Sequence, residues 1–91
     1  MATKLKRLTA TGVAFTGKCY LKGVVLQGGS ANSTVLIQDT AAGGGTDILG
    51  LAAVIGTSEA WSAGDSDGVF FANGVYATLA GTGAAVTIEV E

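Results

Sequence analysis

Val86-Thr87-Ile88-Glu89-Val90-Glu91 is the stretch that decides the fold. Its apolar and polar residues alternate strictly. In an extended chain Val86, Ile88 and Val90 therefore share one face, and Thr87, Glu89 and Glu91 share the other. A period of two describes a strand with one face in a core and one in water. Just before it, Gly81-Thr82-Gly83 reads as a turn. Before that come the β-formers Val75-Tyr76-Ala77-Thr78-Leu79. Val69-Phe70-Phe71 leads into Asn73-Gly74, and Asn-Gly between two runs of β-formers predicts a two-residue hairpin, because a type I′ turn needs positive φ at both central residues. Phe70 and Phe71 are neighbours, so one belongs in the core and the other on the opposite face.

Working outward, the same texture continues. Fifteen Gly and no Pro punctuate short apolar runs, which reads as strands and turns. Residues 4–9 form a weakly patterned first strand or a basic N-terminal arm within 1–10. From Lys18 onward, Cys19, Leu21 and Val25 fall on one face, with Lys18, Tyr20 and Lys22 on the other. Gly23 interrupts this run and marks a bulge. Residues 28–32 are a loop, and 34–38 a strand with Val35 and Ile37 on one side. Residues 41–45 are a loop. Residues 47–55 fit either a strand or a short helix capped by Thr46 or Asp47, and Gly50 in mid-run favours the strand. Residues 58–63 hold Trp61 and give another short strand, and 64–68 a turn. About eight short strands predict one all-β domain over 1–91, a small antiparallel β-sandwich or jelly-roll-like barrel.

Composition points to association. Hydrophobic residues make up 48% of the chain and charged residues only 13%, against roughly 25% charged in ordinary domains. A domain of this size buries only about two-thirds of its unfolded surface, so twelve charges must cover a large exterior. The expected remedy is burial of leftover apolar surface between subunits. The charges are also segregated. All five basic residues, Lys4, Lys6, Arg7, Lys18 and Lys22, precede all seven acidic ones, which run from Asp39 to Glu91. This predicts a subunit with a positive and a negative end, and makes the five basic residues the candidate interface. A pI near 4.8 argues against a general nucleic-acid binder.

The sequence spells no reaction. Gly12-Val13-Ala14-Phe15-Thr16-Gly17-Lys18-Cys19 matches the phosphate-binding loop G-x-x-x-x-G-K-[ST] except at Cys19, where a thiol replaces the hydroxyl that ligates Mg²⁺. A strand-like run follows it, where a helix should open. Asp65 and Asp67 look like the start of a calcium loop, but the other oxygen ligands and the closing Glu of that pattern are missing. Another ion geometry drawing in Asp39 or Asp47 stays open. Asn32-Ser33-Thr34 spells a glycosylation sequon and reads as loop chemistry. Without His the commonest general base is absent, and scattered acids give no paired carboxylates. The expectation is no enzyme, no cofactor and no metal. Cys19 cannot form an internal disulfide and reads as a small buried hydrophobe. No signal peptide and no apolar run of about 18–20 residues is present, so the chain is expected to be made in a cytoplasm and to contact no membrane.

Three runs carry a resemblance. Gly44-Gly45-Thr46-Asp47-Ile48-Leu49, Gly68-Val69-Phe70-Phe71-Ala72-Asn73-Gly74-Val75-Tyr76-Ala77 and Gly81-Thr82-Gly83-Ala84-Ala85-Val86-Thr87, with Lys22-Gly23-Val24-Val25-Leu26, resemble small virion proteins of tailed bacteriophages. The likeness spans residues 17–90. It implies a β-sandwich packed in many copies on the particle, of the head decoration or cement type. Its implied partners are itself, as a homo-oligomer such as a trimer, and a major capsid or other virion protein, with no specific nucleic acid. Other virion parts (tail, neck or fibre) stay open. So does a carbohydrate- or receptor-binding module, which would expose Trp61 or Tyr76.

Overall fold

A computed structural model of the chain describes residues 4–40, 47–63 and 68–91. They form nine strands, and no helix occurs among the described residues: β1 (Lys4–Leu8), β2 (Gly12–Thr16), β3 (Cys19–Gln27), β4 (Ser33–Asp39), β5 (Asp47–Ala53), β6 (Ser58–Ser62), β7 (Val69–Phe71), β8 (Gly74–Ala80) and β9 (Ala85–Val90). They pair into two antiparallel sheets. Sheet A has the order β1-β9-β3-β6, with β7 also on β3, and sheet B the order β2-β8-β4-β5. The segment 47–55 is thus a strand over most of its length. β2 is a strand that the sequence did not announce, because a bulge between Val13 and Phe15 breaks its alternation.

One core lies between the sheets. Sheet A supplies Leu21, Val24, Leu26, Phe71, Val86, Ile88 and Val90, and sheet B supplies Val35, Ile37, Ala53, Val75 and Ala77. The predicted alternation of β9 holds, since Val86, Ile88 and Val90 are buried and Thr87 and Glu89 are half-buried. Each large side chain buried this way contributes roughly 1.5–3 kcal/mol. Ser33, the one buried polar residue among the described residues, donates its hydroxyl proton to the Ala31 carbonyl at 3.0 Å.

Two local readings are corrected by long-range pairing. The first concerns β3. Its register against β9 slips between Leu21 and Gly23, as Gly23 foretold. The extra residue flips the faces beyond it, so Val24 and Leu26 are buried while Val25 is 41% exposed. Placing Val25 with Cys19 and Leu21 fails for that reason.

The second is the Asn73-Gly74 hairpin, which does not form. β7 pairs with β3 in sheet A, and β8 pairs with β2 and β4 in sheet B. Residues 72–73 step between the sheets, and Asn73 does not take positive φ. The Asp39 carboxylate holds this corner, accepting the N–H groups of Asn73 at 2.8 Å and Ala72 at 3.1 Å. A three-residue β7 has little to gain from a hairpin. Lying on β3, it buries Phe71 completely.

β6 and β7 lie in line along β3, against Gly23–Gln27 and Cys19–Leu21 respectively. Beside the β3 bulge, just past the end of β6, the Ala63 N–H donates to the Lys22 carbonyl at 2.9 Å.

Candidate interaction surface

The five basic residues come from two strands and a turn. β1 carries Lys4, Lys6 and Arg7, the turn between β2 and β3 carries Lys18, and β3 carries Lys22. β1 is the edge strand of sheet A, and its partner is β9, which carries Glu89. Charges at opposite ends of the sequence are therefore side by side in one sheet. Among the described residues, antiparallel pairing sets the basic β1 beside β9, so the two ends of the sequence do not stand apart in the fold.

Register decides where each basic side chain lies. Lys4 and Lys6 stand opposite Val90 and Ile88, in rows that belong to the core side of the sheet. Arg7 stands opposite Thr87 on the outer side, where its guanidinium donates across β9 to Gln27 Oε1 on β3 at 3.4 Å. Leu5, between the lysines, is 68% exposed.

At the end of the molecule where β1 begins and β4 finishes, Cys19 is half-buried. Burial pushes its thiol pKa up, the nearby Asp39 carboxylate adds to the rise, and Lys4 opposes it. Asp39 itself is held below the usual carboxylate range, chiefly by the Asn73 N–H and also by those of Ala72 and Gly74, with burial opposing. A thiol raised in this way is a poor nucleophile. At this end the Asp39 carboxylate holds a turn together.

The phosphate-loop spelling over Gly12–Cys19 is strand, turn, strand. Gly12–Thr16 pairs with β8, Gly17 takes φ +84°, and its N–H donates to the Asn73 carbonyl at 3.1 Å. No helix N-terminus faces Lys18. Asn32 of the sequon accepts the Ile55 N–H at 2.9 Å. Asp65 and Asp67 lie outside the described residues. No group of three or more Cys, Asp or Glu able to hold a metal occurs among the described residues.

Two surfaces remain that the basic cluster did not indicate. On the outside of sheet A, Tyr20 and Phe70 are 40% and 51% exposed and pack with ring centroids 5.3 Å apart. Trp61 and Tyr76, the expected exposed aromatics, are half-buried. Trp61 stands opposite Val24 and packs on the core.

The outside of sheet B is the second. Its rows read Val13, Tyr76 and Gln38; Thr78, Leu36 and Gly50; and Ala80, Thr34 and Ala52. None of these is charged. Asp47 at the margin accepts a hydrogen bond from Gln38 Nε2 at 2.7 Å.

This uncharged surface continues around the β5–β6 connection, where Val54 and Ile55 are 62% and 54% exposed. That connection is stitched down. Gly56 N–H donates to the Gly29 carbonyl, Gly28 N–H to the Thr57 carbonyl and Thr57 N–H to the Val54 carbonyl. A shallow depression of about 190 Å³ beside it is lined by Asn32, Ser33, Thr34, Ala52, Ala53 and Val54.

No protein-family model, curated protein or solved structure matches the chain.

Proposed function

We propose that this chain is a structural virion protein, a capsid decoration or cement protein with a jelly-roll fold that binds an assembled head and stabilises it. The observation that carries the reading is the strand order. β1-β9-β3-β6 against β2-β8-β4-β5 is the order that two Greek keys generate in a jelly roll, an architecture that recurs in viral capsid and lectin domains. This is analogy of fold. The resemblance to tailed-phage virion proteins points the same way. The mechanism is mechanical: copies at junctions between shell subunits add contacts that resist internal pressure. The uncharged outer face of sheet B suits a role in which burial of apolar surface supplies the energy. The exposed charges of sheet A would set orientation and partner choice.

The experiment is mass spectrometry and imaging of purified particles of the phage that encodes the chain. The expected result is many copies on the head, and particles without the protein that release DNA at lower temperature. Absence from purified particles overturns the reading. Replacing Lys4, Lys6 and Arg7 together by Glu tests the charge part. Reduced occupancy with an unchanged far-UV spectrum is expected, and wild-type occupancy removes β1 from the interface.

A second reading has one observation of its own. The exposed Tyr20–Phe70 pair offers aromatic faces on which a sugar ring can stack, as in a glycan-binding module on the virion exterior. A glycan array decides it: binding lost in Tyr20→Ala favours this reading, and no binding to any glycan removes it.

A further inference from the structure

We propose that the free edge of β5 is the docking site for a second copy of this chain, which adds its own β5 antiparallel across a two-fold axis. The proposal takes up the self-association that the composition leads one to expect, and does not depend on the virion reading. An edge strand presents unpaired N–H and C=O groups that template another strand unless something blunts it. Three of the four edges here are blunted. β1 places Lys4 and Lys6 on its core side, and β6 does the same with Glu59, opposite Leu26. β2 is five residues long and broken by a bulge. β5 has seven residues, pairs with β4 alone among the described residues, and is followed by Val54 and Ile55. Its register slips only at its first turn-side residues, where Ile48 is the extra residue between Asp47 and Leu49. No charge interrupts the sequence from Ile48 to Ser58. An edge without charge or Pro keeps none of the usual guards against strand addition.

Charge and register favour a second copy as the occupant. A two-fold axis at Leu51 that keeps both cores on the same side of a continuous sheet sets Gly50 against Ala52 and Ile48 against Val54. The last two are among the most exposed large hydrophobics, at 47% and 62%. Their meeting makes an apolar cross-strand pair. The same register sets each Asp47 opposite Ile55, about 27 Å from its mate at ~3.4 Å per residue, well beyond the ~8 Å screening length at physiological salt. Gln38 already ties up the Asp47 carboxylate on the outer face. Edge pairing buries less than the roughly 800 Å² per partner of a standard stable interface, so the dimer is expected to be reversible, with a dissociation constant in the micromolar range.

Sedimentation equilibrium of the full chain, from about 1 μM to 1 mM, tests this. The expected result is a mass rising from 8.9 kDa towards twice that value. Ile48→Lys and Val54→Glu should each raise the dissociation constant at least about tenfold, because a charge is then buried against an apolar residue. An equimolar mixture of these two variants should recover association, since the proposed register sets Lys against Glu on one side and leaves Ile against Val on the other. Leu5→Lys, on the other sheet, should leave association unchanged. A wild-type chain that stays monomeric throughout overturns the proposal. So does association that survives both β5 variants, or is lost in Leu5→Lys. If one β5 variant fails to fold by far-UV circular dichroism, the other still decides. Loss of head binding in the particle experiment would leave these results untouched.

Discussion

At the residue scale the sharpest constraints fall on backbone approach. A Cβ on Gly29 would run into the Thr82 carbonyl oxygen and the Gly83 carbonyl carbon. Those atoms are main chain and cannot swing aside. Gly29→Ala is therefore expected to cost roughly 3 kcal/mol or more, read as a lower denaturant midpoint. Gly56→Ala meets no atom within 4 Å but must hold φ +74°, so about 1 kcal/mol is expected. Similar costs at the two sites would mean that the contact of residues 28–30 with 82–83 is looser than described. Asp39 gives the pH dependence. Its pKa is lowered by backbone donors, so its stabilisation is present above the ordinary carboxylate value and is lost as pH falls through the lowered one. Asp39→Ala is expected to cost roughly 1–2 kcal/mol at neutral pH, the price of freeing two N–H groups. Asp39→Asn should flatten the acid side of the stability–pH curve, and an unchanged acid limb would count against the turn as the origin of that dependence. Cys19, raised by burial and by Asp39, should react with an alkylating reagent at neutral pH more slowly than a free thiol.

At the element scale β7 is the informative case. Its three residues read as the first arm of a hairpin, and Asn73-Gly74 has the right local chemistry. Phe71 outweighs that chemistry, because a fully buried aromatic ring is worth several times a turn preference. Phe71→Ala is expected to cost about 3–5 kcal/mol, whereas Phe70→Ala gives up chiefly its contact with Tyr20, within about 1 kcal/mol. Thermal unfolding of the two variants checks this, and comparable losses would contradict the assignment of β7 to sheet A. β9 and β4 were legible because each runs without a bulge past a single neighbouring core. β2 and the second half of β3 were not. There a bulge shifts the alternation, and a bulge is fixed by the partner strand opposite it. The candidate interface was less legible still. Lys4, Lys6, Arg7, Lys18 and Lys22 are near in sequence, but strand register divides them among the core side, the outer side and a turn.

At the scale of the whole molecule, the two sheets differ in their exteriors. Sheet A carries the charges of β1, β3, β6 and β9, exposed on β1 and β6 and half-buried on β3 and β9, and the outside of sheet B is uncharged apart from Asp47 at its margin. Screening weakens contacts between charges and leaves apolar burial intact or strengthened. Self-association should therefore persist in about 1 M sodium chloride, where the Debye length is only ~3 Å, when light scattering compares low and high salt. Dissociation by salt would return the interface to sheet A and its basic strand.

The sequence alone determined that the chain is all-β, that Val86, Ile88 and Val90 enter a core, and that so few charges leave apolar surface to be covered. These follow from composition and from a period of two, which are local properties. Only the tertiary structure decided which strand lies beside which, on which face Val25 falls, that Asn73-Gly74 joins two sheets, and that the basic and acidic ends of the sequence meet in one sheet. Strand pairing is a contact between distant residues. Its energy comes from the joint burial of side chains on both strands, and neither strand carries that sum in its own sequence.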